Sequence, residues 1–273
     1  MHTHLAERIG RNIASIRERI AAAAARAGRD PAEVQLLVVT KTVDAETTAA
    51  LLDCGVTMIG ENRVQSALAK AEALGEAAGR FRWHLLGHLQ TNKVRKALSL
   101  FSAMHSLDSA RLAEALEKEL TKPPMHADAR RYGNGDGGSS PQMNTDEHGC
   151  ESLSSVSSAP SVVKHFSVYV EVNTSGDAAK TGASEAEVRA VFEKLKSCPH
   201  LAPAGLMTMG PLEGGPEAAR PCFRRLRELL GALRAEGLAP EGCAGLSMGM
   251  TGDFEVAVEE GATIVRIGTA VFS

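Results

Sequence analysis

Short apolar runs and amphipathic stretches alternate along most of this chain. Strand-like runs fall at 35–40, 56–59, 82–86, 100–105, 166–172, 202–206, 243–247 and 263–267, and are rich in aliphatic residues. Helix-like segments fill the gaps, clearest at 45–53, 62–74, 108–120, 184–196, 217–235 and 253–260. Strand and helix in strict alternation predict a parallel sheet with right-handed crossovers. Eight such strands predict a closed (β/α)8 barrel of the TIM type, an α/β fold, rather than an open sheet. Ahead of them, Leu5, Ile9, Ile13, Ile16 and Ile20 recur at spacings of four, four, three and four. That is one apolar stripe of a helix over 3–27, with Gly28 as its C-cap. No helical pattern follows the last strand, so this opening helix is expected to fill the place of the eighth barrel helix.

One segment breaks the alternation. Within 123–164, 17 of 42 residues are Gly, Ser or Pro, and large apolar residues are almost absent. Such a composition buries too little surface to offset its ordering entropy. The segment is therefore expected to be a disordered insertion between the helix after strand 4 and strand 5, within a single barrel domain spanning 1–273.

Composition narrows function mainly by exclusion. A net charge of −3 offers no electrostatic case for nucleic acid or an anionic membrane. No apolar run reaches the roughly 20 residues of a membrane span. Cys54, Cys150, Cys198, Cys222 and Cys243 are scattered and odd in number, without a Cys-x-x-Cys pair. That pattern points to a reducing, cytoplasmic compartment rather than a disulfide framework. Glu7 and Glu18 among the arginines of the opening helix are unlike a mitochondrial presequence. His84 with His88, and His126, His148 and Cys150, lack the spacing of zinc ligands, and no metal is expected.

Chemistry in such a barrel collects at the carboxyl ends of the strands. Here these ends carry Thr40-Lys41-Thr42, Gly60-Glu61-Asn62, Trp83-His84, Asn173-Thr174-Ser175-Gly176 with Lys180 beyond it, Gly205-Leu206-Met207-Thr208, Ser247-Met248-Gly249-Met250-Thr251 and Arg266-Ile267-Gly268-Thr269. An ammonium ending an apolar strand has either emerged into solvent or found a partner, and the convergence on one rim favours the partner. The two last turns either simply reverse the chain or present backbone N–H groups and a helix N-terminus, capped by Thr251 or Gly252, to a phosphate. Arg266, inside an apolar strand, needs a buried carboxylate or a ligand. Glu61 reads as a helix N-terminal residue and Trp83 as core. A lysine amine, a phosphate cradle and a buried arginine together specify an aldehyde-bearing phosphate, pyridoxal 5′-phosphate. Lys41 would join its aldehyde as a Schiff base, helped by burial and neighbouring cations that lower the amine pKa. Arg266 would face the pyridine nitrogen.

These motifs, with Trp83-His84-Leu85-Leu86-Gly87-His88-Leu89-Gln90 and Val265-Arg266-Ile267-Gly268-Thr269-Ala270, span nearly the whole chain outside the insertion. In that order they resemble the pyridoxal phosphate homeostasis proteins, single-domain relatives of the alanine racemase barrel. The resemblance implies a cofactor on Lys41, its phosphate on Ser247, Gly249, Gly268 and Thr269, Arg266 at the pyridine nitrogen and Asn62 beside the ring. His84 and Met207 are counted with the cofactor-binding residues. Lys180 matches a second family lysine tied to handing the cofactor on. Departures are Thr40 in place of a serine, Arg63 in place of an aromatic residue, Phe272-Ser273 where relatives run on into a basic tail, and the insertion.

The implied function is a monomeric carrier that binds pyridoxal phosphate reversibly, buffers it and releases it to apoenzymes. An arginine at the ring nitrogen stays protonated and weakens the electron sink, which favours a carrier over a catalyst. Two alternatives stay open. One is an amino-acid racemase or lyase with Lys41 and His84 as bases; the other is a Schiff-base aldolase barrel using no cofactor.

Overall fold

The computed structural model describes residues 2–122, 165–175, 181–211 and 213–273. The eight apolar runs fold as parallel strands β1 (Gln35–Val39), β2 (Met58–Glu61), β3 (Arg82–Leu85), β4 (Ala103–Leu107), β5 (Phe166–Glu171), β6 (Leu201–Met207), β7 (Gly245–Ser247) and β8 (Ile264–Ile267). They pair in chain order, and β8 closes on β1, which is the TIM-type barrel the alternation predicts. The helices are α1 (His2–Arg26), α2 (Ala45–Asp53), α3 (Val64–Leu74), α4 (Val94–Leu98), α5 (Ala110–Leu120), α6 (Glu185–Leu195), α7 (Pro216–Ala235), α8 (Phe254–Glu259) and α9 (Thr269–Phe272). The 123–164 segment, with the disorder expected of it, lies outside the described residues, as does Lys180.

Helix α1 packs against α2, α8 and α9, which is the vacant place expected for it. Its stripe of Ile9, Ile13, Ile16 and Ile20 is buried. The Asn12 side chain donates to the Val271 carbonyl at 3.0 Å, and Arg19 and Arg26 pair with Glu255 and Glu259 of α8. One expectation is corrected: a helix does follow the last strand. Helix α9 is a single turn, too short to show a period, and α4 escaped notice for the same reason.

Strand side chains alternate between two environments. Outward residues such as Val38, Ile59, Trp83, Val168, Leu206 and Ile267 join one continuous core beneath the helices. Inside the barrel, Leu37, Met58 and Ile264 form a separate apolar cluster edged by Val39, Leu86 and Tyr169. The rest of the interior is polar: His84, His105, Ser247 and Arg266 are all buried. That half of the interior points to function, because a barrel filled for stability alone is filled with branched apolar residues.

Candidate functional site

Strands β1 and β8 bring the first and last motifs side by side. Leu37 pairs with Arg266 and Val38 with Ile267. A Cβ at Gly268 would stand 3.0 Å from the Val39 carbonyl oxygen, so glycine lets the two strand ends close up. Leu37 and Val39 line the barrel interior, and Lys41 is next in that alternate row. Lys41 is exposed, not buried as expected. The reason is local. Strand β1 stops at Val39, and a turn over 40–43, closed by Val43 N–H on the Thr40 carbonyl at 3.1 Å, leaves Lys41 exposed at the rim. Glu61 is also reassigned. It is the last residue of β2, buried, and pairs with Lys70 of α3 instead of opening a helix.

The turn after β7 is built around Gly249. Its φ of +91° is left-handed, and a Cβ there would lie 2.6 Å from the Ala257 methyl, so only glycine fits. Asp253, not Thr251 or Gly252, stands at the N-cap position of α8, without a side-chain capping bond. Its carboxylate accepts from the Met250 N–H at 2.6 Å, and the Asp253 and Phe254 amides bond back to the Met250 carbonyl. The exposed Gly252 and half-buried Thr251 form the open edge of this turn. Across the rim, Gly268 is half-buried and Thr269 exposed at the start of α9.

Beneath the rim lies a directed hydrogen-bond chain. Arg266 donates from Nη1 to Ser247 Oγ at 2.8 Å and from Nη2 to the Thr208 carbonyl at 2.9 Å. Ser247 Oγ lies 2.7 Å from His105 Nδ1, and His105 Nε2 lies 2.8 Å from His84 Nδ1. Arginine only donates, so Ser247 accepts from it, and among the described residues His105 Nδ1 is the acceptor within reach of the hydroxyl proton. His105 then carries its own proton on Nε2 and donates to His84, which is left protonated on Nε2. The His105 ring stacks on Tyr169 with centroids 4.3 Å apart.

Burial enforces these states. Desolvation, aided by the charge of Arg82, pulls His84 down to about 4, and burial with the His84 and Arg266 charges holds His105 well below the ordinary imidazole range. Desolvation draws Arg266 down to about 10, against the pull of Asp253 and Glu171, so it remains a cation at neutral pH. Neither carboxylate touches it. Glu171, raised by burial, accepts instead from Thr181 Oγ1 at 2.7 Å. Two of the five N–H donors of Arg266 are thus committed among the described residues.

The structure therefore sorts the expected residues into two tiers. Lys41, Gly249, Gly268 and Thr269 stand at the rim, while His84, Ser247 and Arg266 form the floor. Met207 ends β6 in a buried position, and Asn62 is half-buried just past β2. The Ser247 hydroxyl contacts both Arg266 and His105. Sequence reasoning missed His105, Tyr169 and Glu171. His105 carried a usable signal, a polar side chain inside an apolar strand, the same sign that singled out Arg266. A 420 Å³ cleft lined by Arg17, Gln35, Thr57 and Arg82 lies at the opposite end of the barrel, whereas a second of 420 Å³, lined by Pro211, Pro216, Met250 and Asp253, borders the Gly249 turn.

Comparison with known proteins places this geometry. The family model described as the alanine racemase N-terminal domain matches residues 147–273. A curated relative from Aquifex aeolicus, named pyridoxal phosphate homeostasis protein, is 36% identical over 95% of this chain and 95% of its own. One of the same name from Pseudomonas aeruginosa is 34% identical over 97% of this chain and 94% of its own. The structure of PipY from Synechococcus elongatus, solved with PLP bound, is 28% identical with a TM-score of 0.71, covering 97% of this chain and 100% of that one. Alanine racemase from Corynebacterium glutamicum, 15% identical with a TM-score of 0.58 over 97% of this chain and 60% of that one, shares the fold.

Proposed function

The chain belongs to the pyridoxal phosphate homeostasis protein family, and from that premise we propose that it carries pyridoxal 5′-phosphate reversibly on Lys41. The residues present suit that cofactor. Among the described residues Arg266 keeps uncommitted donors at the floor of the barrel mouth, and Gly249 and Gly268 allow the tight chain approaches at the rim where a phosphate would sit. When bound, the cofactor supplies an aldehyde with which an amine condenses and from which water releases it. The single observation that supports the reading is the pairing of β1 with β8, which brings the strand end that precedes Lys41 beside the strand that carries Arg266.

Each residue then has a part. Lys41, exposed on its turn, provides the attachment point and leaves an open path for exit. Gly268, Thr269 and the Gly249 turn hold the phosphate. Arg266 donates to the ring nitrogen; it does not surrender a proton there, since even at about 10 its pKa keeps it charged at neutral pH. Asn62, Met207 and His84 line the remaining sides. His84 is a poor second base, with its Nδ1 taken by His105 and its pKa near 4. These features support a carrier without sustained catalysis, working in the cytosol as a monomer that passes its cargo to apoenzymes.

Absorption spectra of the protein loaded with pyridoxal phosphate test this. The visible band of the lysine-linked cofactor is expected in the parent chain and absent in Lys41→Ala, with the melting temperature unchanged because a rim lysine leaves no core cavity. A band that survives the substitution sinks the assignment. Sustained turnover of L-amino acids above that of free cofactor would sink the carrier role.

A further inference from the structure

A second lysine lies under the Lys41 turn. Lys70, from α3, has a side chain 9% exposed, and its Nζ sits 2.5 Å from Glu61 Oε1, a carboxylate 1% exposed. The same Nζ donates to the Thr40 carbonyl at 2.5 Å. Thr40 Oγ1 donates to the same Glu61 oxygen at 2.7 Å, and Thr40 N–H donates to the Gly60 carbonyl at 3.0 Å. Every polar group of Thr40 is therefore bound either to β2 or to this ion pair, or closes the 40–43 turn. Lys41 is the next residue.

A buried ion pair is a weak device for stability, because desolvation offsets most of the attraction and apolar replacements often serve as well. Its place in the fold argues for another use. Glu61 lies on the outward row of β2, away from the barrel mouth, and among the described residues its carboxylate reaches the Lys41 turn through Thr40. We propose that Lys70, acting through Glu61 and the Thr40 carbonyl, is a positioning residue that fixes the backbone from which Lys41 reaches the cofactor. The inference rests on the assignment of Lys41 made above. An exposed lysine on a loose turn samples many orientations, whereas one whose Cα is pinned has a higher effective concentration at a carbonyl held nearby.

The test compares two ligands with the same ring and phosphate: pyridoxal 5′-phosphate, which has the aldehyde, and pyridoxine 5′-phosphate, which lacks it. Lys70→Met leaves Glu61 buried alone and risks misfolding, so the double variant Lys70→Met/Glu61→Gln is measured beside it. In the double variant, pyridoxal phosphate affinity is expected to fall about tenfold, with pyridoxine phosphate affinity held within about twofold. Lys70→Arg should recover most of the loss. Thr40→Val, which deletes only the hydroxyl link to Glu61, should show a smaller loss confined to the aldehyde ligand. Equal losses for both ligands, or none for either, would overturn the proposal. If Lys41→Ala leaves the ratio of the two affinities unchanged, the Lys41 assignment itself is what fails.

Discussion

One guanidinium sets the direction of every proton along the chain from Arg266 through Ser247 and His105 to His84. The arrangement gives both ring nitrogens of His105 and Nδ1 of His84 a partner while leaving both imidazoles neutral. That neutrality has a cost in acid. The folded-state pKa of His84, about 4, lies below its unfolded value of about 6.5. The unfolded chain therefore binds more protons between those two values, and stability is complete above the upper one and lost as pH falls towards the lower. His84 alone contributes a loss on the order of 3 kcal/mol across that window, and His105 acts in the same direction. Thermal melts from pH 7 to 4 are expected to show a steeper decline for the parent than for His84→Gln. Parallel curves would mean the ring is not buried neutral.

At the scale of elements, α1 takes the place of a full-length barrel helix after β8. Ile13 is 1% exposed in the seam it buries. Ile13→Ala is expected to cost about 2–5 kcal/mol by lost transfer energy plus a cavity, read from the urea midpoint. Cofactor affinity should not follow it, because α1 packs on the outside of the barrel. Long elements such as α1 and α7 were plain from their periodicity. The single-turn α4 and α9 were not, since a period cannot be read from one cycle. Chain direction at the Lys41 turn was equally invisible: nothing in Thr40-Lys41-Thr42 tells that β1 ends at Val39 and leaves the lysine exposed.

For the molecule as a whole, the barrel closes through pairings that do not involve 123–164. Replacing that segment with a short Gly-Ser linker is expected to leave melting temperature and cofactor affinity close to the parent's, because its composition offers little apolar surface to the core. A large loss of either would show that it takes part in the fold or the site. The eightfold alternation, the apolar stripe of α1 and the strand-end motifs were determined by the sequence alone, because periodicity and the placement of glycine are local properties of a chain. Only tertiary closure decided that Ser247 meets His105 across 142 residues, that its hydroxyl serves the arginine, and that Glu61 and Lys70 anchor the turn of Lys41. Which inward side chains face one another depends on the register around a closed ring, and no single strand carries that information.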